Sequence, residues 1–198
     1  NKMLALAGHD PLGIETVARF IGKGSSNLVK RMTDHVGLPN DATSHRYYLE
    51  KFLDIYTSTP PKLTKVFEHV HEVLKDFRLS GIELGLCTNK PEIATYVVLE
   101  QFGLTGFFSS IVGGDRLPSL KPDPAMLNLV MRELAVERCL FVGDSEVDVA
   151  TAKAAGMPIA LFTKGYRQLP VAELAPDFSF DSFQKLPAIA TDIFEQIP

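Results

Sequence analysis

Cys139-Leu140-Phe141-Val142-Gly143-Asp144-Ser145-Glu146-Val147-Asp148 is the stretch on which the reading of this chain turns. An apolar run breaks at a glycine into two spaced carboxylates, and an alanine-rich stretch over 150–155 follows and stops at Gly156. That pattern predicts a buried strand, a tight turn and a helix. In an open α/β sheet, ligands bind at the carboxyl ends of the strands, so Asp144 and Asp148 stand where chemistry is done. Carboxylates at this spacing suit a hard divalent cation such as Mg²⁺, which takes oxygen ligands and keeps several waters. The plainer alternative is an acidic helix start favoured by the helix dipole.

Working outward, strand and helix patterns alternate from Gly81 onward. Strands are expected at 82–87, 110–112, 140–142, 159–162 and, at an edge, 178–180. Helices are expected at 91–102, at 124–134 with Asp123 as N-cap, through 150–155, and at the C-terminus around Ile189, Ile193 and Phe194. This alternation implies an α/β fold, a parallel sheet with helices on both faces. The first sixty residues differ. They carry helical spacing at 16–20, 25–36 and 43–56 and no strand pattern, and 57–61 with its two prolines reads as a linker. A further helix is expected over 63–77. The division is therefore a helical unit at 1–60 and an α/β core at 61–198. The chain opens on Asn1, with Met3, Leu4 and Ala7 on an uncapped apolar stripe. The expectation is a helix entered part-way, in a sequence truncated at its N-terminus.

The 198 residues are 45% hydrophobic and 22% charged with a net charge of -4, the balance of an ordinary soluble domain. Without a Lys/Arg cluster, neither nucleic acid nor an anionic membrane is the expected partner. No apolar run approaches the roughly 18 residues that span a bilayer. Cys87 and Cys139, both in strand-like runs, read as buried core thiols of a reducing, cytoplasmic compartment. The oligomeric state is left open.

Two further strand ends carry polar residues. Leu86-Cys87-Thr88-Asn89-Lys90-Pro91 empties a strand into a helix whose hydroxyl, amide and free N–H groups could cradle a phosphate; simple capping by Thr88 or Asn89 is the competing explanation. In Lys121-Pro122-Asp123-Pro124, two prolines fix the backbone around one lysine, so its ammonium can be aimed at a developing negative charge. The alternative is a solvated lysine before a capped helix. Thr-Asn, then Lys-Pro-Asp-Pro, then Gly-Asp-Ser with a later Asp is far more specific than any one part.

In that order these segments resemble the second, third and fourth motifs of the haloacid-dehalogenase-like (HAD) hydrolase superfamily. Cys87 to Glu92, and Val112-Gly113-Gly114-Asp115-Arg116-Leu117-Pro118 leading to Lys121, are similar to its bacterial phosphoglycolate phosphatase family. So are Phe20-Ile21-Gly22-Lys23-Gly24 and Thr163-Lys164-Gly165-Tyr166. The resemblance implies a Rossmann-like core with an inserted helical cap. It also implies a Mg²⁺-dependent phosphomonoesterase acting on a small phosphorylated acid, 2-phosphoglycolate. By the same resemblance Thr88 and Asn89 hold phosphoryl oxygens, Lys121 neutralises phosphate and nucleophile, Asp144 binds Mg²⁺, and Asp148 supports the metal or its waters. Sugar-phosphate phosphatase, phosphomutase, metal-free dehalogenase and non-catalytic phosphate-binding relatives stay open.

One departure is large. The family's first motif, Asp-x-Asp-x-Thr, supplies the nucleophile and the acid/base, and it is missing from the sequence. The strand that carries it belongs between those ending at Thr88 and Asp144. At about 4.8 Å between neighbouring strands, a gap of about 10 Å is expected there, in a fragment inactive alone. Gly22-Lys23-Gly24 lacks the strand and spacing of a nucleotide loop; Lys23 is instead a candidate for the substrate's carboxylate when the cap closes. His69 and His71 diverge on a helix and make no metal pair. Tyr47 and Tyr48 are expected to pack the cap.

Overall fold

The apolar stripes of the first sixty positions fold into four helices in the computed structural model. These are α1 (Lys2–Leu6), α2 (Ile14–Ala18), α3 (Gly24–Val36) and α4 (Ala42–Ser58). The structure describes residues 1–59 and 64–195. Asp41 starts α4 by accepting the Thr43 and Ser44 N–H groups at 3.0 and 3.2 Å, an N-cap that satisfies donors the helix cannot. The helices bury a cluster of their own, Met3, Leu4, Phe20, Val29 and Met32, with Tyr48 and Phe52 packed against it. Only Tyr48 joins this core. Tyr47 is 53% exposed, because adjacent helix residues point about 100° apart. The expected linker begins later than the prolines suggest. Thr57 and Ser58 remain helical, their hydroxyls donating to the Leu53 and Asp54 carbonyls, while Pro60 and Pro61 lie outside the described residues.

The rest alternates as expected: α5 (Val70–Leu79), β1 (Gly85–Cys87), α6 (Glu92–Gln101), β2 (Ser110–Val112), α7 (Ala125–Glu133), β3 (Phe141–Gly143), α8 (Glu146–Ala155), β4 (Ile159–Phe162), α9 (Val171–Leu174), β5 (Phe178–Phe180) and α10 (Leu186–Glu195). Helix α5 starts later than its apolar spacing implies. The expected start at 63 lies outside the described residues, and His69 at φ 65 stops the helix from extending backwards. Phe67 leaves the helical pattern to pack edge-on against Phe162, ring centroids 4.8 Å apart. Strand β1 is also shorter than the 82–87 pattern, because its ladder partner β2 begins only at Ser110, opposite Gly85. The N-cap of α7 is Pro124, one residue later than expected and without a side-chain cap; Asp123, just before it, accepts the Ala125 N–H at 2.8 Å.

All strand pairs are parallel, but they form two sheets: β1–β2, and β3–β4–β5 with β5 at an edge. Helix α7 joins them on one face, its Leu127 and Met131 packing with Phe141, Val149 and Ile159, its Met126 and Val130 with Val112. On the other face Val73 of α5 and Leu186 of α10 cover Ala160, Phe162 and Phe180. Between β1 and β3 lies an apolar cavity of about 520 Å³, lined by Leu86, Cys87, Phe141 and Val142 among others. Val142, in the middle of β3, is 36% exposed on it. The strand-wide gap expected from the sequence would fall here. Both thiols are free, line the cavity, and are pushed up to about 11 by burial. No described helix is long and apolar enough to cross a membrane.

Candidate active site

Parallel strands bring the three polar segments to one edge of the core. Thr88 follows β1, its N–H bonded to the Val112 carbonyl at 3.1 Å, while its hydroxyl accepts the Lys90 N–H at 3.2 Å. Asp144 follows β3, and Ser145 opens α8 with a reciprocal cap. The Ser145 hydroxyl receives the Asp148 N–H, and the Asp148 carboxylate receives the Ser145 N–H. The spacing Ser-x-x-Asp is itself a sequence signature of such a cap, and it was readable at 145–148.

Asp148 is only 5% exposed, and both of its oxygens are engaged. Oδ2 accepts from the Asp144 N–H at 3.0 Å, the Ser145 N–H at 3.1 Å and the Ser145 hydroxyl at 2.7 Å. Oδ1 receives Lys121 Nζ at 2.7 Å. Burial pushes this carboxyl up, but the Lys121 ammonium and the converging donors outweigh it and hold Asp148 below the usual range. The Lys121 side chain is 11% exposed, with its ammonium 5.5 Å from the Phe141 ring centre. The sequence placed Lys121 and Asp148 in one site; the structure makes them a buried ion pair.

Asp144 is different. Burial pushes its carboxyl above the ordinary value, and the nearby Asp148 charge adds to the rise, opposed by the Tyr166 N–H and Lys121. The Tyr166 N–H reaches its Oδ2 at 2.9 Å. Gly165 is required for that approach, since a Cβ there would overlap the Asp144 side chain. The turn at Gly165-Tyr166 was visible only through resemblance, because a backbone donor leaves no chemical mark in the sequence. A half-buried carboxylate beside a second carboxylate suits a hard cation, and one or two such oxygens with waters is how Mg²⁺ is commonly held.

Asn89 is brought in by its side chain. Its Nδ2 donates to the Lys121 carbonyl at 3.0 Å and to the Gly22 carbonyl at 3.1 Å, and its Oδ1 accepts the Lys121 N–H at 2.8 Å. Lys23, exposed at the start of α3, lies on that same loop. His69 and His71 are engaged elsewhere, with Glu72 and the Phe102 carbonyl. Among the described residues no group of three potential metal ligands of the His/Cys/Asp/Glu type occurs, so any cation here relies on few side chains.

The parallel α/β core thus places a buried lysine–aspartate pair and a second carboxylate at the carboxyl ends of its strands. The chain belongs to the haloacid dehalogenase-like hydrolases, whose family model matches residues 1–162. It is 41% identical to the phosphoglycolate phosphatase of Cereibacter sphaeroides over 187 residues, 94% of this chain and 86% of that one. A predicted phosphoglycolate phosphatase from Haemophilus somnus superposes with a TM-score of 0.85 at 28% identity, covering 96% of this chain and 87% of the other. CbbY from Rhodobacter sphaeroides, solved in complex with xylulose-1,5-bisphosphate, shares the fold with a TM-score of 0.73 at 23% identity over 94% and 86% of the two chains.

Proposed function

We propose that this protein hydrolyses a small phosphorylated acid, 2-phosphoglycolate, to glycolate and phosphate. The reading is carried by the Lys121 ammonium, held by buried Asp148 beside Asp144, in a chain 41% identical to a phosphoglycolate phosphatase. Lys121 offsets the charge of the phosphoryl group, and the Thr88 hydroxyl binds its oxygens. Preorganised charge of this kind is the main work of phosphoryl-transfer sites. Asp144 holds Mg²⁺ and Asp148 supports it through the turn they share. The metal, when bound, draws electron density from the phosphoryl oxygens. The nucleophile is an aspartate on an upstream strand seated in the cavity between β1 and β3. Residues 1–60 act as a cap that excludes water on closing, with Lys23 meeting the substrate carboxylate. The two free thiols favour a reducing, cytoplasmic setting.

A phosphate-release screen across small phosphate esters, run on a chain carrying the nucleophilic strand, tests this. Turnover of 2-phosphoglycolate is expected to exceed that of sugar monophosphates, with a KM that rises in Lys23→Ala; preference for a sugar phosphate overturns the substrate. Asp144→Asn is expected to lower kcat about a thousandfold. It should also abolish the rise in melting temperature that Mg²⁺ gives the parent, about 2.7 kcal/mol of stabilisation at a hundredfold excess over Kd. An Asp144→Asn protein still stabilised by Mg²⁺ removes the metal assignment.

A further inference from the structure

Asn89 follows Thr88, and a phosphate-binding role is the natural reading of its position. Its hydrogen bonds say otherwise. A phosphate oxygen is an acceptor, so the side chain of an asparagine can bind it only through its two amide N–H bonds. Both are committed, one to the Lys121 carbonyl at 3.0 Å and one to the Gly22 carbonyl at 3.1 Å. The orientation of the amide is fixed by the same network: turned over, its oxygen would face two carbonyls and its nitrogen the Lys121 N–H.

We propose that Asn89 is a positioning residue that latches the cap loop Gly22-Lys23-Gly24 to the backbone of Lys121. The inference rests on the roles given above to Lys121 and the cap. Asn89 takes both the N–H and the C=O of Lys121, a two-point grip that fixes the residue whose ammonium reaches Asp148. Its remaining N–H closes onto the helical unit. Packing follows the same line. Gly24 sits at φ +81, where a Cβ would lie 2.9 Å from Leu120 Cδ1 and 3.4 Å from the Asn89 carbonyl oxygen. A second tie runs beside it, from Lys90 Nζ to the Tyr56 hydroxyl on α4 at 2.5 Å. The segment that follows Thr88 therefore registers where the cap lies. Lys121 is held hardest when the loop is down.

Amide hydrogen exchange on the chain itself tests the latch without needing turnover. Asn89→Ala and Asn89→Asp both remove the two N–H donors, and exchange across 21–25 is expected to rise about tenfold in each. The amides of α8 should keep their protection. Gly24→Ala approaches from the cap side and leaves Asn89 intact. Lifting the loop there is expected to speed exchange of the Lys121 amide, which donates to Asn89. A Lys121 amide equally protected in Gly24→Ala overturns the coupling. Unchanged exchange over 21–25 in both Asn89 variants overturns the latch. Because neither readout involves substrate, the phosphatase assignment stands or falls separately.

Discussion

Replacing Lys121 by methionine is expected to destabilise the chain by about 3–5 kcal/mol. The substitution keeps the stem that packs beside Phe141 and removes the charge. Asp148 is then left with an 8% exposed side chain and no cation at 2.7 Å. An uncompensated buried carboxylate is among the largest single-site penalties a core can suffer. The comparison is internal: Arg116→Met breaks ion pairs to Glu92 and Glu133 whose side chains are 26% and 32% exposed, and should cost about 0–1 kcal/mol. Urea unfolding of both variants measures the contrast. Asp148→Asn, made in the Lys121→Met background, should restore much of the loss, because the neutral amide no longer needs a cation while its oxygen still accepts from the turn. Additive losses would mean that the pair is not coupled. In a chain carrying the nucleophile, Lys121→Met is also expected to lower kcat by about 10²–10³, the size seen when a preorganised charge-stabilising donor is lost.

That pair shows how far the sequence could be followed. Order and spacing pointed to Thr88, Lys121, Asp144 and Asp148 at one sheet edge, since Thr88 and Asp144 end apolar runs and parallel strands present their carboxyl ends together. What spacing could not show was which groups neutralise one another. Asp148 stands a full helical turn after Asp144, so both read as carboxylates of one metal site. Burial and the reciprocal cap with Ser145 divide them, giving Asp148 to Lys121 and leaving Asp144 under the Tyr166 N–H. The latch through Asn89 was equally hidden, because its partners are the carbonyls of Gly22 and Lys121, and backbone acceptors are the same at every position. Helix α5 was misplaced for a related reason. Phe67 fits a helical stripe, but a place among Phe162 and Phe183 draws it onto the sheet instead.

The larger experiment concerns the cavity. Joining to this chain an upstream segment of about five apolar residues that ends in Asp-x-Asp-x-Thr is expected to give phosphatase activity that the chain alone does not show. Strands β1 and β3 each pair on one side only among the described residues, and a parallel strand between them can bond to both. Its side chains should be apolar on both faces, because α7 covers one face of the core and α5 and α10 the other. Three buried aliphatic side chains contribute about 1.5–3 kcal/mol each, and each new backbone hydrogen bond adds about 0.5–1.5 kcal/mol. Fixing five residues opposes this by about 1–2 kcal/mol each. The balance is a gain of a few kcal/mol, or a melting temperature raised by roughly 10 °C in a protein of this size. Cys87 and Cys139, which line the cavity, should lose reactivity toward a thiol reagent as the strand covers them. Changing the first aspartate of the added motif to asparagine separates the two claims. Seating depends on the apolar residues, so the stability gain and thiol protection should survive; hydrolysis depends on the carboxylate, so it should vanish. An added strand that neither stabilises the chain nor shields the thiols means that the cavity is not a strand site. A stabilised chain that stays inactive with its aspartate in place means instead that the nucleophile comes from elsewhere.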